Sequence, residues 1–273
     1  GLLGPNGAGK TTTIKMLTTQ LPIESGSATV DSYDLATEGD AVRRSIGLAG
    51  QAAAVDDKLT ARENLDLFAR LYHLPRSERK DRVDELIAKF RLEEFADQPA
   101  GTLSGGQRRR VDIVAALITA PPAIFLDEPT TGLDPRSRAE IWKEIRRLSS
   151  DGAAIVLTTQ YLDEADQLAD RIILIDKGAV VAEGAQSDLK NQLERDVLMV
   201  KLADSDQLAD AKAAVGSADV HASDATTLHI SVASAAHSLE ILEAMRAAGV
   251  SLEDFNLQKP TLDDVFLALT DVS

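Results

Sequence analysis

The chain has 273 residues, 44% of them apolar and 27% charged, with a formal net charge of -15 and no cysteine. That length holds one large domain or two modest ones, with enough apolar content for a real core. The negative excess repels phosphate backbones and excludes nucleic acid as a bulk partner, while the lack of cysteine excludes disulfides and thiolate metal sites.

Leu2-Leu3 reads as the end of a buried strand, and the next residues, Gly4-Pro5-Asn6-Gly7-Ala8-Gly9-Lys10-Thr11, satisfy G-x-x-x-x-G-K-[ST] in full. Glycines let successive backbone N–H groups turn inward around a β-phosphate. Lys10 brings positive charge to the β and γ oxygens, and Thr11 offers a hydroxyl to Mg2+. Only two residues of the preceding strand stand before the loop, so the chain is expected to be truncated at its N-terminus.

Thr12 to Leu21 reads as a helix stopped before Pro22, and Ser25 to Asp34 as a turn with a short strand around Ala28-Thr29-Val30. From about residue 52 to 103 the spacing of Leu65, Phe68 and Leu71, then of Val83, Leu86, Ile87 and Phe90, predicts a helical insert of two helices parted at Leu74-Pro75. Ser104 is an N-cap for a helix bearing Val111, Val114, Leu117 and Ile118. Strand Ala123 to Leu126, helix Ser137 to Leu148, strand Ala154 to Thr158, helix Leu162 to Ala169 and strand Ile172 to Ile175 complete an alternation that means a mainly parallel α/β sheet covered on both faces. Val111 to Leu126 is the longest apolar region, and Asp112 and Pro121-Pro122 interrupt it, so it is not a membrane span.

A second character begins near Lys190. Strands Val197 to Leu202, Leu228 to Val232 and Leu252 to Leu257, a hairpin partner around Ala218 to Ala222, and helices Gln207 to Val215, Ala236 to Ala247 and Thr261 to Leu269 give β-α-β-β-α-β, the order of a small ferredoxin-like module. The expected domains are therefore 1–188 and 189–273, the latter an accessory α+β module. Its last helix would carry Leu262, Val265, Phe266 and Leu269 on one face that must be buried. His73, His221, His229 and His237 lack ligand spacing and read as structural.

Two further motifs carry chemistry. Ala123-Ile124-Phe125-Leu126-Asp127-Glu128 is an apolar strand delivering two carboxylates at the edge where ligands of parallel sheets gather. Beside a phosphate loop, Asp127 is placed to hold Mg2+ and Glu128 to take a proton from an attacking water. Leu103-Ser104-Gly105-Gly106-Gln107 puts a hydroxyl and two glycines at a helix start, which is either an ordinary cap or an anion site. The phosphate loop, this signature, the Asp-Glu strand and Gly132-Leu133-Asp134-Pro135 occur in the order seen in ATP-binding cassette (ABC) ATPases, and residues 1 to about 185 resemble that P-loop NTPase family.

The resemblance implies ATP and Mg2+ as cofactors and two cassettes closing head to tail. Asn6, Gly7, Ala8, Gly9, Lys10, Thr11 and Thr12 of one subunit would hold ATP against Ser104, Gly105, Gly106 and Gln107 of the other. Gln51 matches the Q-loop glutamine that touches ATP and Mg2+, joining Thr11 and Asp127 as metal contacts, and Asp134 matches the D-loop that reaches across the dimer. Where the family usually carries a histidine contacting the γ-phosphate, this chain has Gln160, an amide that can donate a hydrogen bond but cannot carry a proton near pH 7. The aromatic residue that usually stacks on adenine lies upstream of the loop and has no counterpart here.

Residues 158–166 and 259–270 resemble the ATPase subunits of daunorubicin-resistance-type exporters, which pair with a separate membrane permease. That implies a peripheral protein on the cytoplasmic face of the membrane, driving export of drugs or antibiotics. The alternative is a cassette acting in translation or DNA maintenance, which generally carries two cassettes, a long coiled-coil insertion or basic surfaces. A third reading, a nucleotide-binding regulator with little turnover, draws on Gln160 and is opposed by Glu128.

Overall fold

Hydrophobic alternation and helix caps set the elements of the computed structural model, which describes residues 1–191, 196–216, 220–259, 261, 262 and 264–266. Strand β1 (Leu2–Leu3) runs into the phosphate loop, and helix α1 (Lys10–Leu17) starts directly after Gly9. It ends at Leu17, short of the Leu21 expected from sequence, because Thr19 turns left-handed (φ 60°) and the N–H groups of Gln20 and Leu21 both fold back onto the Lys15 carbonyl. A hairpin of β2 (Thr29–Val30) and β3 (Tyr33–Asp34) follows, then α2 (Gly39–Ser45) and β4 (Ile46–Ala49). These last three elements are too short to show a period, and the sequence reading has no counterpart for them.

Helices α3 (Ala61–Leu71) and α4 (Arg76–Lys89) form the insert, and Thr60 with Glu63 closes a capping box on α3. Next come α5 (Gly105–Ala115), β5 (Ala123–Asp127), α6 (Pro135–Ser150), β6 (Ala154–Thr159), α7 (Leu162–Leu168) and β7 (Arg171–Asp176). An eighth strand, β8 (Ala179–Ala185), follows the left-handed pair Lys177-Gly178, a turn that matches strand twist. It too is absent from the sequence reading.

The larger sheet has the order β4-β5-β6-β1-β7-β8. Strands β4, β5, β6 and β1 are parallel, with Ala49 beside Leu126, Asp127 beside Thr158, and Leu2 beside Thr158. Their carboxyl ends therefore emerge together on one edge, and that edge places the site. Successive side chains of β5 serve opposite faces. Ile124 and Leu126 join a core with Leu65, Phe90, Val111 and Ile141, whereas Phe125 joins Ile14, Val42 and Ile46.

After α8 (Gln186–Asn191), the chain continues as β9 (Asp196–Leu202), α9 (Leu208–Val215), β10 (Val220–Ala222), β11 (Thr227–Val232), α10 (Ala235–Ala247) and β12 (Leu252–Gln258). The sheet β10-β11-β9-β12 is antiparallel throughout, as the β-α-β-β-α-β order predicts. Leu198, Val200 and Leu202 alternate inward with Leu228, Ile230 and Val232 to meet Ala211, Ile241 and Met245. Leu262 and Val265 are buried and Phe266 half-buried, while Leu269 lies outside the described residues.

Contacts divide the chain into two units, one of Gly1–Ala169 with Ile175–Val180, the other of Asp170–Leu174 with the chain from Val181 onward. Among the described residues no helix is long and apolar enough to cross a membrane.

Candidate functional site

The phosphate loop, the β4 end and the β5 end meet at a small open cleft of about 210 Å3. Asn6, Gly7, Gly9, Lys10, Thr11 and Thr12 line it together with Gln51 and Glu128. Gly9 caps α1 with φ 106°, a conformation only glycine adopts without strain, and so turns the first N–H groups of the helix toward the cleft. Ala8 is buried behind the loop, in a small core with Leu2 and Ile175.

Lys10 is buried and its ammonium donates to the carbonyls of Gly4 (2.8 Å) and Pro5 (3.0 Å). Its third neighbour is the Glu128 carboxylate at 3.5 Å. Glu128 reaches the cleft because its backbone is left-handed (φ 47°), a conformation that costs a non-glycine residue about 1–2 kcal/mol. Two bonds hold that turn, from the Glu128 N–H to the Thr158 carbonyl (3.2 Å) and hydroxyl (3.0 Å). The Thr131 hydroxyl donates to the free Glu128 oxygen (3.0 Å), which leaves the carboxylate aimed at the phosphate loop.

Asp127 is buried, and one of its oxygens accepts from Thr158 (2.5 Å) and from Thr11 (3.2 Å). Thr11, Asp127 and Gln51 present only hydroxyl, carboxylate and amide oxygens, the hard donors that Mg2+ takes alongside phosphate oxygens. No group of three or more His, Cys, Asp or Glu side chains stands ready for a metal among the described residues, so Mg2+ would depend on the nucleotide for part of its shell.

The signature residues do not line this cleft. Ser104 caps α5, with its hydroxyl accepting from the Gln107 N–H (3.3 Å) while the Gln107 amide oxygen accepts from the Ser104 N–H (2.9 Å). Asp134 caps α6 through Arg136 and Ser137 N–H groups and the Ser137 hydroxyl (2.6 Å), and those bonds hold its carboxyl below the usual range. The two caps adjoin each other, since a Cβ on Gly106 would stand 2.5 Å from the Ser137 hydroxyl and one on Gly105 would touch Leu133. Gln160 is half-buried just past β6, also outside the residues lining the cleft.

Composition and spacing do not reveal Thr158, which joins Asp127 to the Glu128 backbone, nor the buried Arg109 and Asp112 of α5. The only signal for Thr158 is a hydroxyl at the end of a buried strand. For Arg109 and Asp112 it is two charges on the apolar side of a helix.

Family comparison bears on this geometry. Residues 1–131 match the model for the ABC transporter family, and residues 184–270 match that of the ATP-binding protein DrrA1-3-like C-terminal domain. The daunorubicin resistance ATP-binding protein DrrA3 of Streptomyces coeruleorubidus is 46% identical over 99% of this chain and 86% of its own length. The daunorubicin/doxorubicin resistance ATP-binding protein DrrA of Streptomyces peucetius is 45% identical, over 99% of this chain and 83% of its own. The chain belongs to the ABC transporter ATP-binding family. A solved ATP-binding subunit of an ABC transporter superposes on this cassette with TM-score 0.61 at 32% identity, covering 70% of this chain and 80% of that one. A dimeric cassette in a post-hydrolysis state with ADP and Pi superposes with TM-score 0.59 at 30% identity, covering 67% and 83%. The cassette is thus an ATPase that works with ATP and Mg2+.

Proposed function

We propose that this cassette powers a drug or antibiotic exporter through a separate membrane permease, as a peripheral subunit on the cytoplasmic face of the membrane. The observation that carries this reading is likeness to daunorubicin-resistance proteins along the whole chain, the module over residues 184–270 included. We assign residues 1–188 to the ATPase domain and 189–273 to an accessory module. A cassette acting on ribosomes or DNA finds no support in these relatives.

In the proposed cycle, N–H groups of Asn6, Gly7, Ala8 and Gly9 cradle the phosphates, while Lys10 exchanges two carbonyls and Glu128 for phosphate oxygens. Thr12 closes that loop. Glu128, once released from Lys10, accepts the proton of the attacking water. Thr11, Asp127 and Gln51 would hold Mg2+, which when bound would supply positive charge to stabilise phosphoryl transfer. Gln160 donates an amide hydrogen to the γ-phosphate. Ser104, Gly105, Gly106 and Gln107 of a second subunit close over the nucleotide, and Asp134 touches the partner. The exposed helix start at Ser104 and Gly105, which lies outside its own cleft, supports a role in trans.

The test is doxorubicin efflux from cells carrying this protein together with a candidate membrane permease. The expected result is efflux with the unaltered chain and none with Lys10→Ala. Equal efflux from both would contradict the reading.

A further inference from the structure

Arg109 and Asp112 lie one turn apart on α5, each less than a tenth exposed, and pair at 2.9 Å. Burial lowers the Arg109 pKa and raises that of Asp112, each opposed by its partner's charge. Isolated buried charges are costly, so a pair retained at this depth needs further bonds to satisfy it. Those bonds fall in a pattern. Arg109 donates to the Gly50 carbonyl (2.6 Å), and Asp112 accepts from the Ala54 N–H (2.7 Å), so the pair grips the loop on both sides of Gln51. Arg109 also donates to the carbonyls of Asp127 (3.2 Å) and Pro129 (3.0 Å), on both sides of Glu128. One guanidinium thereby ties the two loops that supply the cleft with its amide and its carboxylate.

We propose that the Arg109–Asp112 pair is a positioning device, fixing the spacing between Gln51 and the Asp127-Glu128 turn. This rests on the assignment of those three residues given above. Neither member touches the cleft, and Gln51 itself is exposed, with no side-chain bond holding it among the described residues. Its place depends on the backbone on either side, which the pair controls. A planar, five-donor guanidinium suits four acceptors in different directions, and an ammonium at the end of a lysine does not.

Two variants of the purified protein test this, Arg109→Gln and the double change Arg109→Gln with Asp112→Asn, the second leaving no lone buried charge. Each should lower kcat and raise the Mg2+ concentration for half-maximal turnover by about 10- to 100-fold, the usual cost of losing an orienting partner. ATP binding in the presence of EDTA should change less than about twofold, since the phosphate loop is untouched. In nucleotide-free protein, hydrogen exchange should speed up selectively at residues 50–54. Adding Arg109→Gln to Gln51→Ala should cost less than the two losses summed. Unchanged Mg2+ dependence and exchange in the folded double variant, beside an active unaltered protein, would overturn the proposal. No Mg2+-dependent turnover in the unaltered protein would instead overturn the site assignment on which it rests.

Discussion

Glu128 is held by three hydroxyl or carbonyl groups and one ammonium, none adjacent to it in sequence except through the turn to Thr131. The phosphate loop is legible from sequence because its groups are contiguous and its glycine positions are dictated by backbone geometry. Thr158 is not, because its role arises only when β6 lies in register beside β5. Gln160 yields a prediction at this scale. An amide neither gains nor loses a proton near neutrality, so this position contributes no limb to the pH–rate profile near pH 6.5. Gln160→Ala should slow hydrolysis by about tenfold, and Gln160→His should retain turnover while adding a limb in that range. Steady-state ATPase profiles check both, and a wild-type rate from the alanine variant would remove Gln160 from the mechanism.

Among the elements, those legible in advance are the ones whose pattern runs long enough to show a period or ends on a strong cap. Helices α3 and α4, separated at Leu74-Pro75, and α5, capped by Ser104, are of this kind. β3 and β4 have two and four residues, and α2 and β8 seven each without a clear apolar period; the three strands owe their form to neighbours in the sheet or hairpin. β4 matters most among them, since its end carries Gly50 and Gln51 to the cleft. The helical insert depends on Phe90, which is 1% exposed in the core with Leu65 and Leu86 and has the Arg147 guanidinium 5.6 Å from its ring. Phe90→Ala should therefore destabilise the protein by about 3–5 kcal/mol in urea unfolding. Leu71→Ala, at a site 61% exposed, should change it by less than about 0.5 kcal/mol. A similar small effect from both would contradict this packing account.

At the scale of the whole molecule, the proposed reading has a chain with net charge -15 bind a polyanion through one loop, one lysine and a helix N-terminus. The β-α-β-β-α-β order of the second unit is readable from alternating strands such as Leu228 to Val232, whereas the partition through β7 and β8 is not, because no change of composition marks it. The central claim is that nucleotide binding belongs to the phosphate loop and signature, and cleavage to Glu128. Sedimentation of Glu128→Gln protein with labelled ATP and Mg2+ tests it most directly. The account predicts a dimer carrying uncleaved ATP, turnover lower by about 100- to 10,000-fold, and no bound nucleotide in a parallel Lys10→Ala sample. Recovery of labelled ADP at the unaltered rate, or equal loss of nucleotide from both variants, would contradict it.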